Sequence, residues 1–295
     1  MAKKMETKSA RLLALLLALI MVGSVFAYMF RSSTTPSERE IKFEMGRFPK
    51  YLKYVPDGAQ FIMYLDFNLK DKDSELYKIQ NDAFKSQLDP ITFGHLAFAN
   101  KVRIKDVLIA KYPYPLYFVD VNRSKIYFAY ENKEVYRGFT VKLRKNVALI
   151  DEISPFVVGY PAFVYNVADL VENNSNNYVY NYTSRVCNFT TPDLSYALLI
   201  YGDYAKSQLK SKNESIGDYY LVAYRMNGSL YEKVVAIHFI KNGFFVSTNK
   251  TKNVTYYYFK NFDDGLSVAK IGSYNLTKLI EMNPEMRIIE IKLKE

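Results

Sequence analysis

The sequence contains very little cysteine or histidine and no tryptophan: its 295 residues include one Cys and two His. A single cysteine cannot form an internal disulfide, so the folded chain must draw its stability from its apolar core. His95 and His238 stand far apart without a second ligand close by, and Cys187 is distant from both. Because a metal site needs clustered ligands, we predict neither a metal site nor a bound cofactor.

Sequence motifs for nucleophilic, nucleotide-dependent and haem chemistry are also absent. No G-x-S-x-G elbow frames a serine, and there is no glycine-rich phosphate loop and no C-x-x-C-H haem attachment site. Paired carboxylates are the catalytic option left open, at predicted strand ends and turns: Asp66, Asp203, Asp151-Glu152 and Asp263-Asp264. An Asp at a strand end commonly caps the following turn or helix, and we interpret Asp66 and Asp203 in this way. The sequence therefore predicts no catalytic residue and favours a protein that is not an enzyme.

Positive charge is in excess but is not concentrated in one block. The formal net charge is +10, from 40 Lys and Arg against 30 Asp and Glu. Several basic residues lie in or beside the first apolar segment, namely Lys3, Lys4, Lys8, Arg11 and Arg31. The others are spread along the chain without a long run of like charges, which disfavours nucleic acid as a partner. We interpret them as a solvated basic surface, with a docking face for anionic lipid or glycan as the alternative.

Tyrosine and phenylalanine are abundant, at 27 and 20 residues, whereas Gly and Pro number only 12 and 10. Tyr favours strands because its ring packs on a pleated surface while its hydroxyl stays in water. The composition therefore predicts a β-rich α+β fold with mainly antiparallel sheets. Two aromatic clusters stand out, residues 112–118 (YPYPLYF) and 256–259 (YYYF). We interpret both as core and strand packing, with a sugar-stacking or adhesive face as the alternative.

Residues 12–30 (LLALLLALIMVGSVFAYMF) form an uncharged apolar segment bracketed by Arg11 and Arg31. Its length suffices to cross a hydrocarbon core of about 30 Å. We predict a retained transmembrane signal-anchor, with residues 1–11 as a basic cytoplasmic tail. The alternative is a signal peptide that is cleaved after Ala27. Both interpretations export the remainder of the chain.

Nine N-x-S/T sequons follow this apolar segment, and none precedes it. They lie at Asn122, Asn173, Asn181, Asn188, Asn213, Asn227, Asn249, Asn253 and Asn275. The composition predicts roughly two sequons by chance. Because N-glycosylation takes place outside the cytoplasm, the excess predicts that these Asn are glycosylated and that the C-terminal domain lies outside. The alternative is that Asn, Ser and Thr simply share turn positions.

The exported part of the chain divides into a stalk and two units. Residues 31–47 are polar and predict a stalk. A Pro-Asp pair, an apolar run and a Tyr-x-Asp ending occur twice, at residues 56–66 and 192–203. We therefore predict two related α+β units over residues 48–170 and 191–295, joined by an Asn-rich exposed loop over residues 171–190. One continuous α+β domain is the alternative.

Local patterns predict several individual elements. Residues 74–88 predict a helix with Ser74 as its N-cap, because apolar residues recur there at near-helical spacing. Asn227-Gly228 and Asn242-Gly243 separate alternating runs and predict hairpins with type I′ turns. Strands are predicted at residues 125–130, 135–143, 219–226, 234–240, 244–248 and 255–259, and a short helix at residues 273–283.

The basic N-terminus, the apolar segment 12–30, the nine sequons and a thermophile-like composition together resemble the uncharacterised single-pass surface glycoproteins of archaea. The resemblance is one of type and carries no functional residues. It implies a cell-membrane protein anchored in the lipid bilayer through residues 12–30, with its C-terminal domain outside.

On these grounds we expect a non-enzymatic cell-envelope protein that binds or assembles with an envelope protein or glycan. Two alternatives remain open. One is an accessory subunit of a membrane complex, in which the apolar segment pairs with other helices. The other is an anchored hydrolase of glycans or peptides, which would need two carboxylates facing each other in a concave pocket.

Overall fold

The computed structural model describes residues 40–98, 102–122, 126–174, 177–190, 194–247 and 254–289. The predicted basic tail and transmembrane segment, together with most of the predicted stalk, lie outside these residues. Within the described ranges, no helix is both long enough and apolar enough to span a bilayer.

An antiparallel sheet built from twelve strands dominates the described part of the chain. Its strands, in spatial order, are β18 (Tyr256–Asn261), β19 (Leu266–Ser273), β16 (Leu230–Phe239), β15 (Gly217–Asn227), β12 (Tyr196–Tyr201), β2 (Phe61–Asp66), β4 (Ile104–Lys111), β5 (Leu116–Val121), β11 (Phe156–Gly159), β9 (Val147–Ile150), β8 (Phe139–Arg144) and β7 (Asn132–Tyr136). Four two-stranded pairings complete the described β structure, namely β1 (Phe43–Glu44) with β10 (Ile153–Ser154), β3 (Leu96–Phe98) with β6 (Ile126–Phe128), β13 (Lys210–Ser211) with β14 (Glu214–Ser215), and β17 (Gly243–Phe245) with β20 (Met286–Ile288).

The sheet is continuous across the boundary predicted between two units. β2 from the first half pairs antiparallel with β12 from the second, with Ile62 opposite Leu199 and Leu65 opposite Tyr196. Each half then extends outward from this central pair. The description as a β-rich α+β fold with mostly antiparallel sheets holds, whereas the relatedness of the two halves stays a prediction.

Short helices cover both faces of the sheet. The described helices are one 3₁₀ helix (Lys50–Tyr54), α1 (Glu75–Gln87), α2 (Pro90–Phe93), α3 (Pro161–Glu172), α4 (Tyr178–Phe189), α5 (Gly202–Gln208) and α6 (Leu276–Glu281). The larger core lies between the sheet and the 3₁₀ helix, α3 and α4, where Val167 and Val186 are fully buried. A second core lies on the opposite face, where Phe84 of α1 and Phe93 of α2 pack against buried strand residues.

The Asn-rich segment predicted as an exposed loop contains the helix α4, and the loop prediction is wrong there. Asn177 caps this helix, because its side-chain oxygen accepts a hydrogen bond from Tyr180 N at 2.8 Å. Val179, Thr183 and Val186 recur at helical spacing and are buried. The polar composition is that of the exposed face of an amphipathic helix, while its narrow apolar stripe packs on the core.

The predicted stalk also ends earlier than residue 47. Phe43 and Glu44 form β1, which pairs in parallel with β10. Met45 is only 2 % exposed, and Lys42 Nζ lies 2.9 Å from a Glu152 carboxylate oxygen. Apolar residues hidden in the polar run therefore join this segment to the folded domain.

Turn predictions had mixed outcomes. The Asn227-Gly228 hairpin is confirmed between β15 and β16, with Gly228 at a φ of 63°. The Asn242-Gly243 hairpin is wrong, because Gly243 instead pairs with Ile288 of β20. A turn at Arg137-Gly138, with φ values of 49° and 78°, divides the strand predicted over residues 135–143 into β7 and β8.

The predicted helix at residues 74–88 is confirmed as α1. Its N-cap is Ser74, whose Oγ accepts a hydrogen bond from Tyr77 N at 3.3 Å. The cap satisfies one of the free amide groups of the first turn. Leu76, 1 % exposed, then anchors this end of the helix beneath the sheet.

Candidate functional site

A cleft of about 670 Å³ opens between α1 and the neighbouring ends of β2, β4 and β5. Its volume lies within the range of sites for small molecules. The loop that follows β2, one face of α1, the end of β3 and the first residues of β4 form its walls. The cleft therefore lies at the ends of central strands, where elements distant in sequence meet.

Aromatic rings from three elements form the apolar part of this cleft. They are Phe67 after β2, Tyr77 and Phe84 on α1, and Phe98 at the end of β3. Phe67 packs edge-on against Tyr77 and Phe84, with ring centroids 6.4 and 5.5 Å away. Tyr77 and Phe84 stand seven residues apart, so both project from one face of α1. Edge-to-face contacts of this kind fix the orientation of the rings.

Three cations line the same cleft, and no carboxylate is among its described lining residues. Lys72 comes from the loop before α1, Arg103 directly precedes β4, and Lys105 is the second residue of β4. Lys105 Nζ lies 3.3 Å from Asp120 Oδ2 outside the lining. Lys72 and Arg103 are exposed. The cleft therefore has an apolar part, formed by the rings, and a positively charged part beside it.

Two amide side chains hold the loops that present these cations. Asn68 Nδ2 donates to Asp66 Oδ1 at 2.8 Å and to Lys105 O at 3.3 Å. Asn122 Oδ1 accepts a hydrogen bond from Arg103 N at 2.7 Å. Each amide joins two chain segments, so the cleft is positioned by side-chain bonds as well as by the sheet.

A row of three aspartates crosses the sheet next to the cleft. Asp106 on β4 is the cross-strand neighbour of both Asp66 on β2 and Asp120 on β5. Asp106 is 7 % exposed, and its Oδ1 has no hydrogen-bond partner among the described residues. Burial, reinforced by the negative charge of Asp120, raises the pKa of Asp106 to about 7, although a hydrogen bond with Tyr51 opposes the shift. None of the three aspartates lines the cleft.

The other carboxylates noted in the sequence are not brought together. Asp66 Oδ1 accepts from Asn68 N at 2.9 Å, the turn-capping role predicted for it. Asp203 is exposed in the first turn of α5, where it pairs with Lys206 at 3.0 Å. Asp151 pairs with Lys142 at 2.6 Å, and Asp264 pairs with Arg185.

His238 and Cys187 also lie apart. His238 Nδ1 is 2.6 Å from Asp218 Oδ1, and its Nε2 is 2.9 Å from Asp264 O. The ring of Tyr182 stacks on the imidazole at 4.6 Å. Cys187 packs at the edge of the larger core. Within the described ranges, no group of three or more His, Cys, Asp or Glu is arranged to hold a metal ion.

The sequon asparagines that fall within the described residues are all exposed: Asn122, Asn173, Asn181, Asn188, Asn213, Asn227 and Asn275. Asn249 and Asn253 lie outside the described ranges. The hydroxyl residues of two sequons are nevertheless buried, with Thr183 at 0 % and Thr190 at 1 % exposure. Exposure is what glycosylation requires of the acceptor, and occupancy itself stays a prediction.

Sequence reasoning missed both the cleft and two of the three aspartates. The rings and cations of the cleft come from separate elements, so only the fold brings them together. A usable signal did exist for the aspartates, since Asp120 interrupts an otherwise apolar strand and Asp106 directly precedes the apolar run of residues 107–110. A lone acid in such a run indicates a buried polar group that needs a partner.

Comparisons with known proteins identify relatives of the whole chain. Residues 44–172 match the AF_2048_N family N-terminal domain. An uncharacterised protein of Archaeoglobus fulgidus is 40 % identical over 299 aligned residues, covering 97 % of this chain and 95 % of that protein.

Solved structures resemble the fold only weakly. Crystal forms I and III of TP0453 give TM-scores of 0.39 and 0.37 at 11 % and 10 % identity. Each alignment covers 78 % of this chain and at least 95 % of the matched chain. A likeness of this size carries no argument about function.

Proposed function

We propose that this chain, which belongs to the archaeal AF_2048_N family, is a membrane-anchored, outward-facing binding protein of the cell envelope. The observation that carries the binding role is the cleft, which combines four aromatic rings with three cations. Such a site suits a ligand with an anionic group and an apolar or ring-shaped body.

The lining of the cleft favours binding over catalysis. Its described residues include no carboxylate, imidazole or thiol. The groups that most often act in general acid–base catalysis, imidazole and carboxylate, are therefore missing from the described lining. Lys72, Arg103 and Lys105 instead supply donors that attract and orient an anion.

Lys105 acts from a partly enclosed position, whereas Lys72 and Arg103 are exposed. Lys105 shares its charge with Asp120 across 3.3 Å, and the pair is only partly exposed. A bound anion would give Lys105 a second ionic partner and would also pair with Arg103 and Lys72. The loop of Lys72 is tied by Asn68, the backbone of Arg103 by Asn122, and Lys105 lies on β4, so little backbone ordering accompanies binding.

The outward location rests on the apolar segment 12–30 and on the sequons. The exposure of the described sequon asparagines supports this location, because a glycan can be carried only at the surface. Residues 12–30 would hold the folded domain at the bilayer, beside envelope proteins and glycans.

The row of three aspartates suggests a hydrolase as the alternative function. Two carboxylates a fixed distance apart are the feature of glycoside hydrolysis. Asp106 is buried, however, and neither Asp106 nor Asp120 lines the cleft. An accessory role in a membrane complex is compatible with the cleft but has no observation of its own.

The binding role is tested by titrating the whole chain, purified in detergent, with phenyl phosphate in a calorimeter. Replacing Lys72, Arg103 and Lys105 by Gln should weaken binding by roughly tenfold to a hundredfold, the sum of three ionic contacts. The matched control replaces Lys133, Lys145 and Lys210, which are exposed elsewhere, and should bind as the native chain does.

A second comparison separates the apolar part from the anionic part. Phe84→Ala should weaken phenyl phosphate but leave the affinity for inorganic phosphate unchanged, because Phe84 contributes only ring surface. Equal affinity of the triple cleft variant and its control for phenyl phosphate would contradict the proposed role of the cleft.

A further inference from the structure

A second aromatic and basic surface lies on the opposite face of the sheet, along the edge strand β18. Tyr256, Tyr258 and Lys260 alternate on this strand, and Phe262 follows directly after it. Lys270 of β19 is the cross-strand partner of Tyr258. We call these five residues the edge surface. Tyr256 and Tyr258 belong to the YYYF cluster at residues 256–259, which does not line the cleft.

Each lysine of the edge surface is held over aromatic rings. Lys260 Nζ lies 4.7 Å from the centroid of Phe262. Lys270 Nζ lies 5.9 Å from the Tyr256 ring and 6.0 Å from the Tyr258 ring. A cation placed over a ring face is attracted by the π electrons. The ammonium groups are therefore positioned before any ligand arrives.

The ring of Tyr258 is available for stacking. Tyr258 is 61 % exposed, and its ring centroid is 5.4 Å from that of Tyr256. Tyr256 lies over Gly272, where a Cβ atom would come within 2.5 Å of the ring. Glycine at this position lets the Tyr256 ring lie close to the sheet, where it is half-buried with its hydroxyl enclosed and packs beside the exposed Tyr258 ring.

The charge of the edge surface is not neutralised within the described residues. Neither Lys260 nor Lys270 has a carboxylate within ion-pair distance there, whereas the nearby Arg185 is paired with Asp264. The rings and the two free cations together call for a ligand that has flat, weakly polar faces and negative charges.

We propose that the edge surface binds an acidic polysaccharide, with a sugar ring on Tyr258 and sugar carboxylates on Lys260 and Lys270. Hexuronic acids present a C–H face for stacking and a carboxylate on the same residue. The choice of polysaccharide over single-stranded nucleic acid, which also stacks on aromatic rings beside cations, rests on the outward location proposed above.

The test measures binding of the whole chain in detergent to polygalacturonate, to neutral dextran and to single-stranded poly-dT. Polygalacturonate should bind, and added salt should weaken it, because two ionic contacts contribute. The variant Tyr258→Ala, Lys260→Gln, Lys270→Gln should bind roughly tenfold more weakly. Its matched control, Tyr274→Ala, Lys133→Gln, Lys278→Gln, changes the same residue types at exposed positions and should retain native affinity.

Failure of this proposal is distinguishable from failure of the cleft. The triple cleft variant should keep native affinity for polygalacturonate, whatever it does to phenyl phosphate. Equal loss in the edge variant and its control would overturn the edge surface as a site. Tighter binding of poly-dT than of polygalacturonate would overturn the ligand class.

Discussion

At the scale of single residues, the most unusual group is the buried carboxyl of Asp106. It lies beneath Tyr51 between Asp66 and Asp120, with one oxygen lacking a hydrogen-bond partner among the described residues. Burial raises its pKa to about 7, so the folded chain holds a proton that an unfolded aspartate releases near pH 4.

This proton makes stability depend on pH in a defined direction. Between about pH 4 and pH 7 the folded state binds more protons than the unfolded state, so the free energy of unfolding falls as pH rises. The fall attributable to Asp106 is roughly 4 kcal/mol at most. Asp106→Asn should remove this contribution and should be more stable than the native chain above pH 7.

Urea unfolding at a series of pH values checks the expectation. Asp203→Asn changes an exposed carboxyl of the same kind and should leave the slope of the native chain unaltered. An Asp106→Asn variant with the native slope between pH 4 and pH 7 would show that Asp106 titrates normally in the folded state.

At the scale of elements, α4 shows how a sequon can serve a packing role. Thr183 is the hydroxyl residue of the Asn181 sequon, yet its Oγ1 is buried, bonding to Val179 O at 2.8 Å and pairing with Tyr219 Oη at 2.9 Å. Tyr219 is fully buried, and burial raises its pKa. Thr183 is therefore both a sequon residue and part of the buried face of α4.

Removing that hydroxyl should destabilise the fold independently of any glycan. Thr183→Val leaves the Tyr219 hydroxyl unpaired and should lower the free energy of unfolding by about 1–3 kcal/mol. Asn181→Gln abolishes the same sequon but keeps the hydroxyl, so it should retain native stability. Thermal unfolding of unglycosylated chains compares the two, and equal losses would argue against the buried hydrogen bond.

A second element, the hairpin of β15 and β16, contains a buried ion pair. Arg225 Nε donates to Glu232 Oε2, and both side chains are 1 % exposed. Asn227 Nδ2 donates to the other oxygen of Glu232 at 3.2 Å. A buried pair of this kind adds little to net stability, because the cost of desolvating both charges offsets their attraction.

Breaking the pair from one side should therefore cost more than removing both partners. Arg225→Met and Glu232→Met alone should each destabilise the chain by about 3–5 kcal/mol, because each leaves one buried charge unpaired. The double variant should recover a large part of this loss. Denaturant unfolding of all four chains forms the double-mutant cycle, and strictly additive costs would contradict the coupling.

At the scale of the whole molecule, local patterns predicted individual helices and hairpins better than they predicted how these elements pack together. Ser74 and the apolar spacing after it predicted α1, and Asn227-Gly228 predicted its hairpin, because both signals depend on neighbouring residues. The same kind of signal failed at Asn242-Gly243, where pairing with the distant Ile288 prevails. The strand that pairs with Gly243 lies far away in the sequence, so no local pattern could predict this pairing.

The candidate site lay beyond sequence reasoning for the same reason. Phe84 belongs to the apolar spacing that predicted α1, but its neighbours Phe67 and Phe98 come from separate segments of the chain. Arg103 and Lys105 look like ordinary surface cations until β4 places them at the cleft. The pairing of β2 with β12 likewise joins the two halves of the chain. Local sequence patterns describe each half separately and do not predict this pairing.

The outward, membrane-anchored location is the central claim, and mass spectrometry of the chain purified from its native membrane tests it most directly. Intact mass and glycopeptide mapping should show a mass above the 34.3 kDa of the polypeptide and an N-terminal segment that is still present. We expect sugars at Asn227 and Asn275, whose sequon hydroxyl residues Ser229 and Thr277 are also exposed. A chain carrying no sugar at any sequon would contradict the account and return the excess of sequons to the chemistry of turns and caps.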